Sequence, residues 1–361
     1  MFNYHISFLN KTIYFKRNNN SMKSKILFIT NKRNLPSQNE TYSNTLSSGL
    51  LNSITFVIDM LIKEGYVSKC VQVDDGNRID KEIVENKPSH VIIEALWVSP
   101  SKLNELCILH PNVKWIIRIH SEIPFLANEG IAIEWLFEYI KISDKISIST
   151  NSNRISMELA DVLNVPVFYL PNYYNIDLSP INKNKKVDSN VINIACFGAI
   201  RPLKNQLIQA ISAIKFTKDI NKKLYFHINV NREETGGNSV LKNIRSLFKN
   251  NENTLVEHPW TNHEKFIEIV KGIDIGMQVS FSETYNIVAA DFVNCDVPIV
   301  VSDEINFIDE NCKANTTSVK DIVEKLHFIY SKKKLNKLIE RNKELLEGNN
   351  KQAIKEWKKL F

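Results

Sequence analysis

The sequence lacks any long hydrophobic run. Its longest apolar stretches, such as Val91–Ile93 and Pro298–Val301, have only the length of a strand. A helix that crosses a membrane needs about 18–20 apolar residues in a row. The chain is therefore not expected to be an integral membrane protein.

Cysteine is scarce and shows no pairing pattern. The five cysteines are Cys70, Cys107, Cys196, Cys295 and Cys312. They are odd in number and scattered, without the Cys-x-x-Cys spacing that disulfide frameworks and zinc sites use. The first residues also lack the basic start, apolar core and cleavage site of a secretory signal peptide. Both absences favour a reducing compartment, so the cytoplasm is the expected location.

The body of the chain has no excess of positive charge, although the net charge of the whole is +6. Residues 331–361 carry ten Lys and Arg against four Glu, and residues 1–22 carry three cations and no acid. The body between these tails is therefore net negative. Because a dedicated nucleic-acid-binding fold usually has a basic body, this distribution argues against that class.

Short apolar segments alternate with longer amphipathic ones. The predicted strands of the first half are Ile26–Thr30, Ser68–Val73, His90–Leu96, Lys114–Ile119, Lys145–Ser149 and Val167–Tyr169. Those of the second half are Asn193–Phe197, Leu224–Val230, Thr254–Glu257, Asp274–Val279 and Ile299–Val301. Strands that alternate with helices predict parallel sheets covered on both faces. We therefore predict two Rossmann-like α/β domains facing each other across a cleft, with ligands at the carboxyl ends of the strands.

The expected boundaries follow from this alternation. They are an extension at 1–21, which is a mis-called start or dispensable, a first domain at 22–175, a linker at 176–190, a second domain at 191–345 and an amphipathic closing helix at 346–361. The closing helix has Ala353, Trp357 and Leu360 on one face and lysines elsewhere. We expect it to dock on the body, and the alternative is a peripheral role on an anionic membrane or nucleic acid.

The most informative segment is SETYNIVAAD, residues 282–291, which follows a predicted strand and opens a helix. The free N–H groups at that helix start belong to Asn286, Ile287 and Val288, and they suit a diphosphate. Glu283 precedes them, where it can meet a sugar attached to that diphosphate. Asp291 lies one turn along the helix, where it can reach a ribose hydroxyl. A capped surface helix with solvated acids is the alternative.

The segment FGAIRPLKN, residues 197–205, has the same position relative to its strand and helix. Gly198 lets the backbone turn closely beside a ligand. Lys204 brings a compact positive charge to the helix start, where a pyrophosphate needs a counter-charge, and Arg201 is a second cation nearby. An ordinary turn with two solvated cations is the alternative.

These two segments resemble the donor site of the retaining glycosyltransferase family 4 and its GT-B relatives. Glu283 and Asp291 match that family's two acids eight positions apart, although Asp291 replaces the usual Glu. Lys204 matches the lysine of its Gly-Arg-x-x-Pro-x-Lys-Gly loop, while Ala199 replaces the arginine and Arg201 follows two residues later. The combination also resembles a group of glycosyltransferases encoded by bacteriophages, for which the location would be the host cytoplasm.

The first half of the chain contributes weaker candidates. Leu170-Pro171-Asn172 resembles the segment that joins the two domains of this family. His120, after a buried strand, resembles the family histidine that faces the donor sugar across the cleft, with a structural histidine as the alternative. Gly49 and Asn52, with residues 47 and 48, loosely resemble a glycine-rich loop that contacts phosphates or acceptor. Glu94 is a candidate acceptor contact, with plain packing as the alternative.

The resemblance implies that a sugar is transferred from a nucleoside-diphosphate sugar to an acceptor hydroxyl with retention. It implies no cofactor and no metal, and the sequence has no Asp-x-Asp motif. The first domain would hold the acceptor and the second the sugar nucleotide. The acceptor stays open between a modified DNA base, a glycan, a protein and a small molecule. A non-catalytic sugar-nucleotide-binding protein and another GT-B activity, such as a sugar-nucleotide epimerase, are the alternatives.

Overall fold

The structure is a computed structural model that describes residues 5–8, 11–14, 24–32, 49–177 and 190–361, with only the backbone at 5–8, 11–14 and 332–334. Two strands near the start, β1 (His5–Phe8) and β2 (Lys11–Tyr14), pair with each other as a separate antiparallel sheet. The predicted extension therefore includes a hairpin, and its dispensability stays a prediction. Most of the predicted linker lies outside the described residues.

The N-terminal lobe is built on a six-stranded parallel sheet. Its strands are β3 (Lys25–Asn31), β4 (Val67–Val73), β5 (His90–Glu94), β6 (Lys114–Ile119), β7 (Ile146–Thr150) and β8 (Val167–Tyr169), in the order β4-β3-β5-β6-β7-β8. Its helices are α1 (Gly49–Lys63), α2 (Arg78–Asn86), α3 (Pro100–Leu109), α4 (Ile123–Leu126), α5 (Ala132–Ile142) and α6 (Asn153–Leu163). Every residue of β5 is buried, as expected for a central strand covered on both faces.

The C-terminal lobe repeats this arrangement with five parallel strands. They are β9 (Val191–Ala195), β10 (Lys223–Val230), β11 (Thr254–Pro259), β12 (Ile275–Gln278) and β13 (Ile299–Val301), in the order β11-β10-β9-β12-β13. The helices are α7 (Gln206–Asp219), α8 (Gly237–Lys249), α9 (His263–Lys271), α10 (Ile287–Asn294) and α11 (Val319–Tyr330). A side chain at Gly276 of β12 would begin 2.7 Å from the Phe292 ring, so only glycine lets α10 pack this closely.

The last helix, α12 (Lys332–Leu360), is 29 residues long and returns to the N-terminal lobe. Trp357 near its end is fully buried, and its indole N–H donates to the Pro171 carbonyl at 2.8 Å. The ring also lies 5.8 Å from that of Phe28 in β3. The apolar face predicted for the tail is therefore buried against the body, and the helix begins earlier than expected.

The predicted architecture of two parallel α/β sheets is confirmed. Each lobe has its own buried core, and the two lobes meet where the carboxyl ends of their strands face each other. None of the described helices combines the length and the apolar character needed to cross a bilayer. The five cysteines are all free thiols.

Candidate functional site

A cavity of about 210 Å³ lies between the lobes, and we call it the cleft cavity. Its C-terminal wall consists of the loops after β9, β10 and β11 and the loop between β12 and α10. Its N-terminal wall consists of the start of α1 and the loops after β6 and β7. All of these segments follow strands or open helices, which is where ligands bind in open parallel sheets.

Two helix N-termini converge on this cavity. Gly49 begins α1 and Ile287 begins α10, and a Cβ on Gly49 would lie 3.3 Å from the Ile287 side chain. Asn286 caps α10 by accepting the Ala289 N–H at 2.9 Å. The N–H groups of the first turn, including those of Ile287 and Val288, have no partner within the helix. The partial positive charge of both helix starts therefore faces the same space.

Lys204 and Glu283 form an ion pair on the wall of the cleft cavity. The ammonium of Lys204 donates to Oε1 of Glu283, which also accepts from the Asn286 amide at 3.1 Å. Gly198 lies beside this pair with a φ of +117°, and the place where its Cβ would be is 3.9 Å from Cε of Lys204. A side-chain-free residue at this backbone conformation leaves the ammonium and the strand end accessible from one side.

Two arginines add to the positive charge of the same wall. Arg201 donates to Glu234 at 2.6 Å, and its guanidinium lies 4.6 Å from the Phe125 ring centroid of the opposite lobe. Arg232 donates to the same carboxylate at 2.9 Å. Burial alone would raise the pKa of Glu234, but the charges of the two arginines and their hydrogen bonds hold it below its ordinary value. With Lys204 and Glu283 included, cations outnumber acids by one on this wall.

A smaller pocket of about 60 Å³, the side pocket, opens from the cleft cavity. Trp260 and Val288 line both spaces, and Asn52 and His263 line the side pocket alone. Asp291 also lines it, but Oδ1 of this carboxylate is already bound at 2.7 Å by both the Tyr174 hydroxyl and the His263 ring. The predicted contact of Asp291 with a ribose therefore stays a prediction, and its carboxylate has two protein partners.

The pKa of His263 is above its ordinary value. Burial by itself would lower this pKa. The hydrogen bond to Asp291, the charge of that carboxylate and the charge of Glu264 together raise it by more than burial lowers it. The opposite holds for His258 at the end of β11, whose pKa is lowered by burial. The His263 imidazole, which lines the side pocket, is therefore protonated up to a higher pH than an ordinary histidine.

On the N-terminal wall, His120 lines the cleft cavity and its Nε2 bonds the Glu94 carboxylate beneath it. Glu94 is 0% exposed and also receives Nη1 of Arg118 at 3.2 Å. Burial would raise the pKa of Glu94, but Arg118 and His120 hold it below its ordinary value. The carboxylate of Glu94 is therefore buried and bound by these two side chains, as in the packing alternative, and its predicted contact with an acceptor stays a prediction.

The structure brings most predicted site residues together. The cleft cavity is lined by Gly49, His120, Gly198, Arg201, Lys204, Glu283, Asn286, Ile287 and Val288. Asn52 and Asp291 line the side pocket, and Glu94 lines neither space. Residues 47 and 48 lie outside the described residues.

The sequence-based prediction missed Asn229, Arg232, Glu234, Trp260 and His263, which all line one of these spaces. Each lies at or just after the carboxyl end of β10 or β11. The rule that ligands bind after strand ends applies to the loops after these two strands as well as to those after β9 and β12, and it is the signal that identifies these residues.

The sequence matches no protein-family model and no curated protein. The fold matches that of a sucrose-phosphate synthase from Thermosynechococcus elongatus, with a TM-score of 0.69, 11% identity, and 94% of this chain and 99% of that chain covered. A glycosyltransferase from Rickettsia africae has a TM-score of 0.65 at 12% identity, with 94% and 97% covered. An Escherichia coli trehalose-6-phosphate protein bound with UDP-2-fluoro glucose has a TM-score of 0.61 at 11% identity, with 93% and 98% covered.

At these identities the likeness shows the fold. The chain has the GT-B architecture, in which two Rossmann-like domains face each other across a cleft, and this prediction is confirmed. Membership of glycosyltransferase family 4 or of a bacteriophage group stays a prediction.

Proposed function

We propose that this chain is a glycosyltransferase that moves a sugar from a nucleoside-diphosphate sugar to an acceptor hydroxyl. The observation that carries the proposal is the convergence of the Lys204–Glu283 pair and the starts of α1 and α10 on one cavity. A lysine and free helix N–H groups suit a diphosphate, and a carboxylate beside them suits the hydroxyls of an attached sugar. A similar solved structure bound with UDP-2-fluoro glucose supports a UDP-sugar as the donor class.

In this proposal the C-terminal domain, residues 191–345, binds the donor, and the N-terminal domain, residues 22–175, faces the acceptor. The diphosphate lies between Lys204 and the N–H groups of Ile287 and Val288. The nucleoside extends into the side pocket, towards Trp260 and Asp291. Arg201 lies on the same wall and adds positive charge there. The excess of one cation over the acids of this wall favours binding of an anion.

The transfer step uses charge that the cleft already contains. The acceptor oxygen bonds the anomeric carbon while the bond from that carbon to the diphosphate breaks, and the hydroxyl proton leaves with the departing phosphate. Lys204 and the helix N–H groups stabilise the negative charge that develops on the leaving group, which is commonly the largest catalytic contribution. A bound diphosphate competes with Glu283 for the ammonium of Lys204, so Glu283 becomes available to the sugar. His120 faces this sugar from the opposite wall.

Retention of configuration, independence of metal and cofactor, and a cytoplasmic location belong to the proposal because the family resemblance implies the first two and the composition favours the third. Retention and independence of metal each have a readout. The anomeric configuration of the product follows from NMR coupling constants. Transfer should persist in EDTA, and its loss in EDTA with recovery on adding magnesium or manganese would contradict the mechanism.

The decisive experiment measures release of nucleoside diphosphate from a panel of UDP-, GDP- and TDP-sugars, without acceptor and with mixed acceptors. Glu283→Gln should lower turnover by about a hundredfold or more, the scale of losing one group that acts in the transition state. Its effect on the Kd for UDP or GDP should stay within about threefold. The matched control is Glu324→Gln on the exposed face of α11, which should change neither quantity. A larger loss of affinity than of turnover would contradict the role of Glu283.

One observation favours a second candidate, a sugar-nucleotide-binding protein without catalysis. The acids of the cleft are each held by a protein cation, Glu283 by Lys204 and Glu234 by Arg201 and Arg232. Tight binding of a sugar nucleotide with no release of nucleoside diphosphate under any condition would establish this candidate. Recovery of an epimerised sugar nucleotide would instead establish the epimerase alternative.

A further inference from the structure

A third pocket, of about 160 Å³, adjoins the cleft cavity, and we call it the far pocket. Five of the described residues line both the far pocket and the cleft cavity, namely Glu122, Asn151, Glu283, Thr284 and Tyr285. The far pocket shares none of its lining residues with the side pocket. The three spaces therefore lie in a row, with the cleft cavity in the middle and Glu283 between it and the far pocket.

The described lining of the far pocket is acidic. Its carboxylates are Glu122, Glu283, Asp303 and Glu304, and its cation is Arg154. The guanidinium of Arg154 is already occupied, because it donates to both oxygens of Glu304 at 3.0 and 2.7 Å and to Glu122 at 3.2 Å. Among the described lining residues, a phosphate that entered this pocket would meet four carboxylates and one cation, Arg154, which already pairs with two of those carboxylates. Like charges at this range are repulsive.

Three of the described residues that line the far pocket each have a buried polar atom without a partner. Oδ1 of Asn151, the hydroxyl of Tyr285 and Nδ2 of Asn349 are buried and have no partner among the described residues. Asn151 as a whole is only 3% exposed. Buried polar atoms are rarely left unpaired in native proteins, so unpaired atoms in a pocket wall indicate a ligand with polar groups. Two acceptor-capable oxygens and one amide donor match hydroxyl groups, which both donate and accept.

We propose that the far pocket binds the acceptor and that the acceptor is an uncharged, hydroxyl-rich molecule, namely a saccharide. This inference rests on the proposed function and names its acceptor class. Hydroxyl groups donate to the carboxylates and to Asn151, and they accept from Asn349. The shared wall at Glu283 brings such a hydroxyl next to the sugar end of a donor held in the cleft cavity. A nucleic-acid backbone or a phosphorylated sugar meets repulsion in the same place.

The test uses the full chain and matched probes. Methyl glucoside, methyl galactoside and methyl mannoside are compared with the 6-phosphates of the same sugars and with duplex DNA, by their effect on nucleoside diphosphate release. We expect at least one neutral glycoside to stimulate release, and its 6-phosphate to do so at least tenfold less. Stimulation by the phosphates or by DNA equal to or above that by the glycosides would overturn the inference.

Two variants test whether the preference for neutral glycosides over their 6-phosphates depends on the far pocket. Asp303→Lys, at an exposed position, should reduce the discrimination against the 6-phosphates at least fivefold because it replaces a repulsive charge with an attractive one. Asn151→Leu should raise KM for the glycoside about fivefold, the scale of one lost hydrogen bond, with a smaller change in kcat. Asp161→Lys, an exposed carboxylate elsewhere on α6, is the control and should change neither. An unchanged discrimination in Asp303→Lys would overturn the assignment to this pocket.

Failure of the proposed function would look different. If no sugar nucleotide binds or is cleaved, the donor assignment fails. Saturation-transfer NMR with the same glycosides and phosphates needs no turnover, so it tests the far pocket in that case too. Glycoside signals that weaken in Asn151→Leu would support the pocket, and binding of phosphates alone, or of no probe, would overturn it.

Discussion

In the N-terminal lobe, Arg118 and Glu94 form an ion pair that is 0% exposed on both sides, whereas in the C-terminal lobe Lys204 and Glu283 form theirs on the wall of the cleft, at 12% and 5% exposure. Arg118 also donates to the Leu170 carbonyl at 2.9 and 3.0 Å. The buried pair has no route to exchange its partners for a ligand. The cleft pair does, because one side of it faces the cavity.

The buried pair and the cleft pair therefore have different roles, one in folding and the other in ligand binding. A buried pair contributes mainly by leaving no charge unpaired, so its removal should destabilise the fold. A pair on a ligand site should affect binding more than folding, since water and ligands replace the missing partner. The predictions that follow test this contrast, beginning with the largest expected effect.

Arg118→Met should lower the free energy of unfolding by about 3–5 kcal/mol, because it leaves the Glu94 carboxylate buried without its main partner. Denaturant unfolding followed by circular dichroism measures this. The double variant Arg118→Met with Glu94→Gln should recover part of the loss, since the unpaired charge is gone. If Arg118→Met were as stable as the original chain, the buried pair of the N-terminal lobe would not contribute to folding more than the cleft pair does.

Trp357→Ala should lower the free energy of unfolding by about 3 kcal/mol, the scale of truncating a buried aromatic side chain. The indole packs under Arg118, whose guanidinium lies 5.2 Å from the ring centroid, so the loss belongs to the buried network. Unfolding at low and high salt should give nearly the same loss, because packing is not screened. A variant of unchanged stability with weaker, salt-sensitive binding to DNA or anionic vesicles would support the peripheral role of the tail instead.

Lys204→Ala should weaken binding of UDP or GDP by about tenfold to a hundredfold, the range for a hydrogen bond to a charged group. Its free energy of unfolding should change by only about 1 kcal/mol, because Glu283 keeps the hydrogen bond from Asn286 and faces the cavity, where water can replace the ammonium. Titration calorimetry and denaturant unfolding together provide both numbers. Lys215→Ala on the exposed face of α7 is the control. Unchanged affinity would remove Lys204 from the proposed phosphate site.

The smallest effect concerns pH. The pKa of His263 is raised in the folded chain, so its charged pair with Asp291 adds stability below the unfolded value of 6.5 and loses it as pH rises through the folded pKa. His263→Gln should therefore be less stable than the original chain by the largest margin below pH 6.5, and the margin should shrink above it. NMR titration should find His263 above 6.5 and His258 below it. A pKa of His263 below that of His258 would contradict the pairing of His263 with the Asp291 carboxylate.

The sequence by itself determined the alternation of strands and helices, and with it the two parallel sheets. Strand β6 was predicted with its observed bounds, and the helix that residues 282–291 were predicted to open begins at Ile287. These features are local, because hydrophobic periodicity and capping residues act within a few positions of each other. The cavity residues Glu283 and Lys204 could be chosen for the same reason, since each follows a strand and precedes a helix.

Only the tertiary structure decided which side chains meet. Lys204 and Glu283 are 79 positions apart, and Arg154 meets Glu304 from 150 positions away. The sequence left Glu94 open between an acceptor contact and packing, and the neighbouring strand contributes Arg118, which pairs with its buried carboxylate. The pairing of distant residues depends on strand order and on how the lobes close, and local periodicity contains no information about either.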